Sequence, residues 1–430
     1  MFRYTSIPSS FYIQNRNNLR AHLPAGACAV FNSNDIMPTN ADGHMAFRQN
    51  NDLLFLTGID QEESVLVICP DHPDERYREV LFLRETSELI AIWEGHKYTK
   101  QEAFEASGIR SIYWLKDFKL IFNTIMVYAQ EVYLNTNEHL RAVVEVETRD
   151  ARFSKWCREH YPAHSYRRSA PIMQKLRGVK RAEEIAQMQT ACNITEKGFR
   201  RVLGFVKPGV WEYEIEAEFA HEFLRNRSKG FAYQPIIATG ANACVLHYIT
   251  NNAQCKEGEL LLMDVGAEYG NYNSDMTRTI PVSGRFTKRQ RDVYMAVLNV
   301  KEYAKSILRP GITLPEYHKE IGHFMEKELI ELGLLDKTDV KNQNPEAPLY
   351  KKYFMHGTSH HLGLDVHDLG DVYAKVTPGM VFTVEPGIYI PEEGIGIRLE
   401  NNIVIKDEGY NDLMANIPIH PDEIEELMNA

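Results

Sequence analysis

Short apolar runs alternate with polar stretches through the first part of the chain: AGACAVF at 25–31, DLLFLTG at 52–58, SVLVICP at 64–70, EVLFLR at 79–84 and IYWL at 112–115. Continuous apolar runs of this length, bounded by turn-forming residues, predict buried strands. KLIFNTIMVYAQE at 119–131 and the stretch at 136–160 predict helices, which makes this part an α/β domain.

RRSAPIMQKLRGVK at 167–180 interrupts that pattern and predicts a boundary, with one domain over 1–170 and a second over 171–430. Beyond it, Ile185, Met188, Cys192, Ile194 and Phe199 follow one face of a helix that Lys207-Pro208-Gly209 closes. Further helices are predicted at 210–230, 287–308 and 314–333, and apolar β-like runs at IIATG, ELLLMDVG, MTRTIPV, MVFTVEPGIYI and IGIRLENNIVI. The second part therefore reads as α+β, helices outside a curved, mostly antiparallel sheet, and not as a regular βαβ array.

Composition narrows the function. The 430 residues carry 48 Lys+Arg against 59 Asp+Glu, a formal charge of -11, which disfavours a general nucleic-acid grip or an anionic-membrane footprint and leaves a small partner. Cys28, Cys69, Cys157, Cys192, Cys244 and Cys255 are scattered, with no CxxC pair and no dense framework, so a reducing compartment is expected. With no membrane-length apolar run and no targeting core, the expectation is a cytoplasmic enzyme. GxGxxG after a strand, GxxxxGK[ST], HExxH and GxSxG are all missing, which argues against dinucleotide, P-loop, zincin and activated-serine chemistry. Cys244, close to His247, reads as a small buried residue beside a site and not as half of a catalytic pair.

The chemistry concentrates where acids interrupt apolar strands. In EGELLLMDVGAEYGNYNSDMTRTIPVSG at 257–284, Asp264 ends a buried run and Asp275 enters the next strand after the Gly270-Asn271-Tyr272-Asn273 turn, which places the two across a hairpin. Taken alone, this segment admits metal binding or a structural role, with Asp264 accepting from backbone groups or from Arg278 and Asp275 capping a turn. KKYFMHGTSHHLGLDVHDLG at 351–370 then adds His356, His360, His361 and His367, while Glu385 and Glu400 interrupt two further apolar runs. Four clustered carboxylates repel unless cations join them, and two divalent ions resolve that conflict. Manganese or cobalt suits a mixed carboxylate and imidazole set, with zinc an alternative. Such a pair of ions lowers the pKa of a bridging water and polarises a carbonyl, which is amide hydrolysis without a protein nucleophile.

VLHYITNN at 245–252, LLMDVGAEYGNYNSDMTRTIPVSG at 261–284, FMHGTSHHLGLDVHD at 354–368, VFTVEPGIYI at 381–390 and IGIRLENN at 395–402, in this order, resemble the aminopeptidase P and prolidase branch of the pita-bread metallopeptidases, which also include methionine aminopeptidases and creatinase. RQNNDLLFLTG at 48–58 is similar to the amino-terminal domain of aminopeptidase P. The resemblance implies a pita-bread catalytic domain preceded by a smaller α/β domain of the creatinase and prolidase type, which would shape substrate access and contribute oligomer contacts in a homodimer or homotetramer. It implies Asp264, Asp275, His360, Glu385 and Glu400 as ligands of two divalent ions, Mn2+ first and Co2+ or Zn2+ next, with Glu385 also steering the proton of the metal-bound water. His247, His356 and His367 would face the substrate, with Tyr389 and Arg398 in the surrounding polar shell. His361, adjacent to the ligand His360, is expected to point away and to serve packing or support.

The implied reaction releases the N-terminal residue of peptides with proline second, by attack of a metal-bridging water or hydroxide. The nearest alternative is a prolidase restricted to Xaa-Pro dipeptides, and a remote one is a peptide-binding module without turnover.

Overall fold

A computed structural model describes residues 3–430, and the chain separates into two compact units. One is Ser6–Arg177, and the other is Gly178–Ala430 together with the short stretch that ends at Thr5.

The first unit runs α1 (Ser9–Arg20), β1 (Ala27–Asn32), α2 (Asn51–Thr57), β2 (Val65–Ile68), β3 (Glu79–Leu83), α3 (Glu88–Glu94), α4 (Lys100–Ser107), β4 (Ser111–Trp114), α5 (Phe118–Met126), β5 (Glu131–Leu134), α6 (Arg149–His160) and β6 (Ser165–Arg168), with α7 (Ala170–Gly178) at its end. Its sheet has the order β4-β3-β2-β1-β5-β6, antiparallel at β1–β2 and β2–β3 and parallel elsewhere. Four of the five expected strands form.

DLLFLTG at 52–58 does not: it is the helix α2. The Asn50 side chain accepts from the backbone N–H groups of Asp52 and Leu53, and Gly58 ends the turn in the left-handed conformation, so capping chemistry decides the element. Two expected helices are shorter than their apolar patterns. The one at 119–131 stops at Met126, and Glu131 is taken into β5 by pairing with β1. In 136–160 the helix begins only at Arg149, where the Thr148 side chain caps Ala151 N–H, while Leu140, Val143, Val144 and Val146 lie exposed before it.

The second unit begins with α8 (Ala182–Leu203), α9 (Glu212–Arg225), β7 (Ile236–Thr239), β8 (Leu260–Val265), β9 (Glu268–Tyr269), β10 (Tyr272–Asn273) and β11 (Met276–Pro281). Then come α10 (Lys288–Ile307), α11 (Leu314–Glu331), α12 (Lys337–Asn342), β12 (Val381–Val384), β13 (Gly387–Ile390), β14 (Ile395–Arg398), β15 (Asn401–Ile405), β16 (Tyr410–Asp412) and α13 (Pro421–Met428). Every strand pairing here is antiparallel: β11-β8-β7, β12-β15-β16, β13-β14 and β10-β9. Asp264 lies within β8 and Arg398 ends β14, while Asp275, Glu385 and Glu400 sit at strand ends, and these positions make the site.

Candidate metal centre

β8 and β11 bring the two aspartates together. Asp264 pairs with Thr277 across the ladder, and the chain between the strands folds back through the β9–β10 hairpin, whose Gly270 and Asn271 both have positive φ, 60° and 67°. Gly266 makes the return possible: a Cβ there would lie 1.8 Å from the Ser274 carbonyl oxygen. The Tyr233 hydroxyl sits between the carboxylates, 2.5 Å from Asp264 Oδ1 and 2.6 Å from Asp275 Oδ1.

Glu400 lies between β14 and β15 and faces the same space. Its backbone N–H donates to Thr277 O at 3.0 Å, and its Oε2 accepts from the Thr277 hydroxyl at 2.6 Å. The other oxygen, Oε1, is buried with no hydrogen-bond partner. Glu385 follows β12, with Oε1 3.6 Å from His360 Nε2.

His360 is oriented from both sides. Its backbone exchanges hydrogen bonds with Thr383, and its Nδ1–H donates to His361 O at 2.9 Å. That fixes the tautomer and leaves the Nε2 lone pair aimed at Asp275 Oδ2, 3.4 Å away, which is the presentation of a metal-ligating imidazole. Ligand atoms of Asp275, His360 and Glu400 all lie within 4.8 Å of one another.

The electrostatics follow from packing these acids into a buried pocket. Burial, then Asp275, Glu385 and Asp264, push the Glu400 carboxyl well above the usual range. Burial also raises Asp264, against the opposing pull of Arg398, and carries Glu385 up to about 7. For His360 burial works the other way, but the hydrogen bond that a protonated Nε2 would make to Asp275 and the charges of Glu385 and Asp275 outweigh it, and without ions its pKa is raised.

Arg398 is the one guanidinium that reaches these acids among the described residues. It donates from Nη2 to Asp264 Oδ2 (2.5 Å), from Nη1 to Tyr389 OH (2.8 Å) and from Nε to the Thr277 hydroxyl (3.0 Å). One positive charge against Asp264, Asp275, Glu385 and Glu400 leaves an excess of acid, and the unpartnered Glu400 Oε1 marks where cations are wanted. The donor set of carboxylate oxygens and one imidazole nitrogen fits two divalent ions. Asp264 is not held by Arg278, as one reading of the sequence allowed. Arg278 is turned away, bonding to Glu400 O, Thr277 O, Pro418 O and Asn401 Oδ1.

A hydrogen-bond chain leads outward. His356 Nδ1–H donates to Gly357 O at 2.7 Å, so its Nε2 accepts from Tyr389 OH at 2.8 Å, and Tyr389 in turn accepts from Arg398. Burial, with Arg398 next, lowers His356 to about 3, so its imidazole is neutral near pH 7. His367 stacks edge-on to His360 with ring centroids 4.3 Å apart. His247 is exposed, close enough to His356 to add to the lowering of its basicity. His361 packs on Phe382 at 4.5 Å, away from the acids. Cys244 donates to Ile395 O, and burial raises its thiol, which disfavours a nucleophile.

Sequence reasoning missed Tyr233, Thr277, Asn402 and His318. Asn402 clamps the Asp275 backbone, accepting from its N–H at 3.0 Å and donating to its carbonyl at 2.6 Å. His318 on α11 accepts from Thr358 N–H at 3.2 Å and steadies the segment that carries His356 and His360.

Residues 186–407 match the family described as Metallopeptidase family M24, and residues 12–133 match the aminopeptidase P N-terminal domain. The chain belongs to metallopeptidase family M24. The M24 match contains all ten candidate residues, Asp264, Asp275, His360, Glu385, Glu400, His247, His356, His367, Tyr389 and Arg398. Relatives share the whole architecture: the Xaa-Pro aminopeptidase of Escherichia coli K12 is 36% identical, with 97% of each chain aligned. Xaa-Pro aminopeptidase 3 of Homo sapiens is 29% identical over 92% of this chain and 78% of its own. Among solved M24-type structures, Pseudomonas aeruginosa aminopeptidase PepP superposes with a TM-score of 0.89 at 30% identity, covering 99% of this chain and 98% of that one. Aminopeptidase P from E. coli, solved with the inhibitor Pro-Leu, gives 0.89 at 32% identity over 99% of both. The pita-bread fold follows from these likenesses.

Proposed function

We propose that this M24 enzyme releases the N-terminal residue from peptides with proline in second position, through two divalent ions held by Asp264, Asp275, His360, Glu385 and Glu400. The observation that carries the reading is the buried Glu400 carboxylate, one oxygen fixed by Thr277 and the other without a partner, facing Asp275 and the bare Nε2 of His360. Full-length relatives named Xaa-Pro aminopeptidase support the substrate class, and prolidase is the less favoured reading.

Two divalent ions, when bound, lower the pKa of water and act as Lewis acids toward the scissile carbonyl. The protein supplies the rest. Glu385, whose Oε1 lies 3.6 Å from His360 Nε2, is placed to take a proton at a carboxylate oxygen and return it to the leaving nitrogen. That nitrogen belongs to proline and carries no N–H, so the enzyme needs no acceptor for one. Neutral His356, with its Nδ1–H on Gly357 O and its Nε2 accepting from Tyr389 OH, has no donor to spare for an oxyanion and contacts the substrate beside Glu385, 4.0 Å away. His247 and His367 bind the peptide on its exposed side, while the excess acid of the centre receives the free α-amine.

Manganese is the proposed ion, on the oxygen-rich donor set. The first unit is proposed to shape access and to carry the contacts of a homodimer or homotetramer, for which its exposed Leu140, Val143, Val144 and Val146 offer apolar surface. Cytoplasmic residence is proposed from the six free cysteines, and no helix among the described residues is long and apolar enough to cross a membrane.

The test compares Xaa-Pro with Xaa-Pro-Yaa peptides on metal-depleted protein before and after addition of Mn2+, Co2+ or Zn2+. Cleavage of the tripeptide that depends on added metal is expected. Turnover of the dipeptide alone points to prolidase, and hydrolysis at full rate without metal overturns the centre.

A further inference from the structure

Glu212, the first residue of α9, is fully buried, and its two side-chain oxygens receive four donors. Oε1 accepts from Thr239 N–H at 2.8 Å and Asn242 Nδ2 at 3.4 Å, and Oε2 accepts from Tyr248 OH at 2.8 Å and Ala253 N–H at 2.8 Å. A carboxylate is the side chain that can accept at every one of these points, whereas an amide would oppose an NH2 to donors. No Lys or Arg lies among these hydrogen-bond partners, so its contribution is made through the segment it organises. Its own N–H donates to Ala253 O at 3.0 Å, which ties the segment to the helix start a second time.

The four partners bracket 239–253, and His247 lies in their midst. Next to Glu212 on the same helix, one turn on, Glu216 accepts from Asn251 Nδ2 at 2.9 Å, and Asn251 Oδ1 accepts from Ile237 N–H at 3.0 Å. The His247 ring is exposed and has no hydrogen bond among the described residues, so its place is set by the backbone that carries it, and that backbone is held from beneath by Glu212.

We infer that Glu212 is a positioning residue for His247, holding the 239–253 segment so that the imidazole stands at the substrate side of the metal centre beside His356. The inference rests on the reading above that His247 meets the peptide. Removing the carboxylate frees the loop without touching any of the candidate ligands, so metal content and activity should part company.

The experiment is a double-mutant cycle on the manganese-loaded enzyme with Glu212→Gln, Tyr248→Phe and His247→Ala, read by kcat, KM, bound metal and hydrogen exchange over 239–253. Expected for Glu212→Gln are wild-type metal content, faster exchange in the loop and a kcat/KM lower by about 10-fold or more, shrinking to under about 2-fold when His247→Ala is already present. Tyr248→Phe deletes one donor and leaves the carboxylate, so it gives a smaller loss of the same kind, about 3-fold, also absorbed by His247→Ala. If Glu212→Gln does not fold, the Tyr248→Phe cycle alone carries the test. A loss that persists at full size in the His247→Ala background, or loop exchange unchanged from wild type, overturns the positioning role while leaving the role of His247 intact. Full activity of His247→Ala by itself overturns the underlying assignment of His247, and the inference falls with it.

Discussion

The Thr277 hydroxyl donates to Glu400 Oε2 at 2.6 Å and accepts from Arg398 Nε at 3.0 Å, so one strand residue joins a candidate metal ligand to the guanidinium that balances another. It fixes one oxygen of Glu400 and leaves the second free, which is how an outer hydrogen bond orients a ligating carboxylate. Thr277→Val keeps the shape and deletes both functions. We expect metal affinity to fall by about 10–100-fold, with Thr277→Ser close to wild type. Bound manganese measured across a chelator series checks this, and unchanged affinity in Thr277→Val would remove Glu400 from the centre.

Arg398 uses three nitrogens in three directions, toward Asp264, Tyr389 and Thr277. A lysine offers a single ammonium and cannot span them. Arg398→Lys should therefore lower kcat by on the order of 100-fold, because Asp264 loses its fixed counter-charge and the Tyr389–His356 link loses its anchor. Tyr389→Phe removes only the last link and leaves His356 Nε2 without a donor, for a loss of about 10-fold in kcat with metal retained. Steady-state kinetics with metal analysis separates the two, and equal losses in both variants would contradict the ordering.

How much of this was readable in advance depends on whether a residue declares itself within its own segment. Asp264, Asp275, Glu385 and Glu400 do so, because each stands in or at the end of a buried strand, where an acid is costly. DLLFLTG does not, since an apolar run buried on all sides has the same pattern as strand or helix, and the Asn50 cap decides between them. Tyr233 and Thr277 were invisible for a different reason. Antiparallel register sets Thr277 opposite Asp264, and register is a property of paired strands, while Tyr233 sits in a bend ahead of β7 and meets the two carboxylates only once the chain is folded. Arg278 illustrates the same limit: it is one residue from Thr277, yet alternation along β11 sends it to backbone carbonyls instead of to Asp264.

Metal removal gives a stability prediction. Asp264, Glu385 and Glu400 all have carboxyl groups pushed upward by burial and by neighbouring carboxylates, Asp275 in every case, so the folded state without ions carries a repulsion that bound cations relieve. Manganese at about 100 times its Kd should stabilise the fold by about 2.7 kcal/mol. Chemical denaturation with and without manganese measures the difference. The same gain in Glu400→Ala as in wild type would place the stabilising ion elsewhere.

Asp150 supplies a test far from this chemistry. Its carboxyl accepts from Asn32 Nδ2 at 2.8 Å inside the first unit, and burial, only partly offset by that bond, pushes it up to about 7. An unfolded aspartate ionises near about 3.9, so between about pH 4 and 7 the unfolded chain has released a proton that the folded chain still holds. The sign follows: below that window the group has no effect, stability falls as pH rises through it, and above pH 7 the penalty is complete. Asp150→Asn keeps an acceptor for Asn32 and removes the ionisation. The variant should match wild type near pH 4 and exceed it at pH 8 by on the order of 2–4 kcal/mol. Urea denaturation at a series of pH values checks this, and wild-type and variant curves that run parallel from pH 5 to pH 8 would show that Asp150 is ionised without cost in the fold.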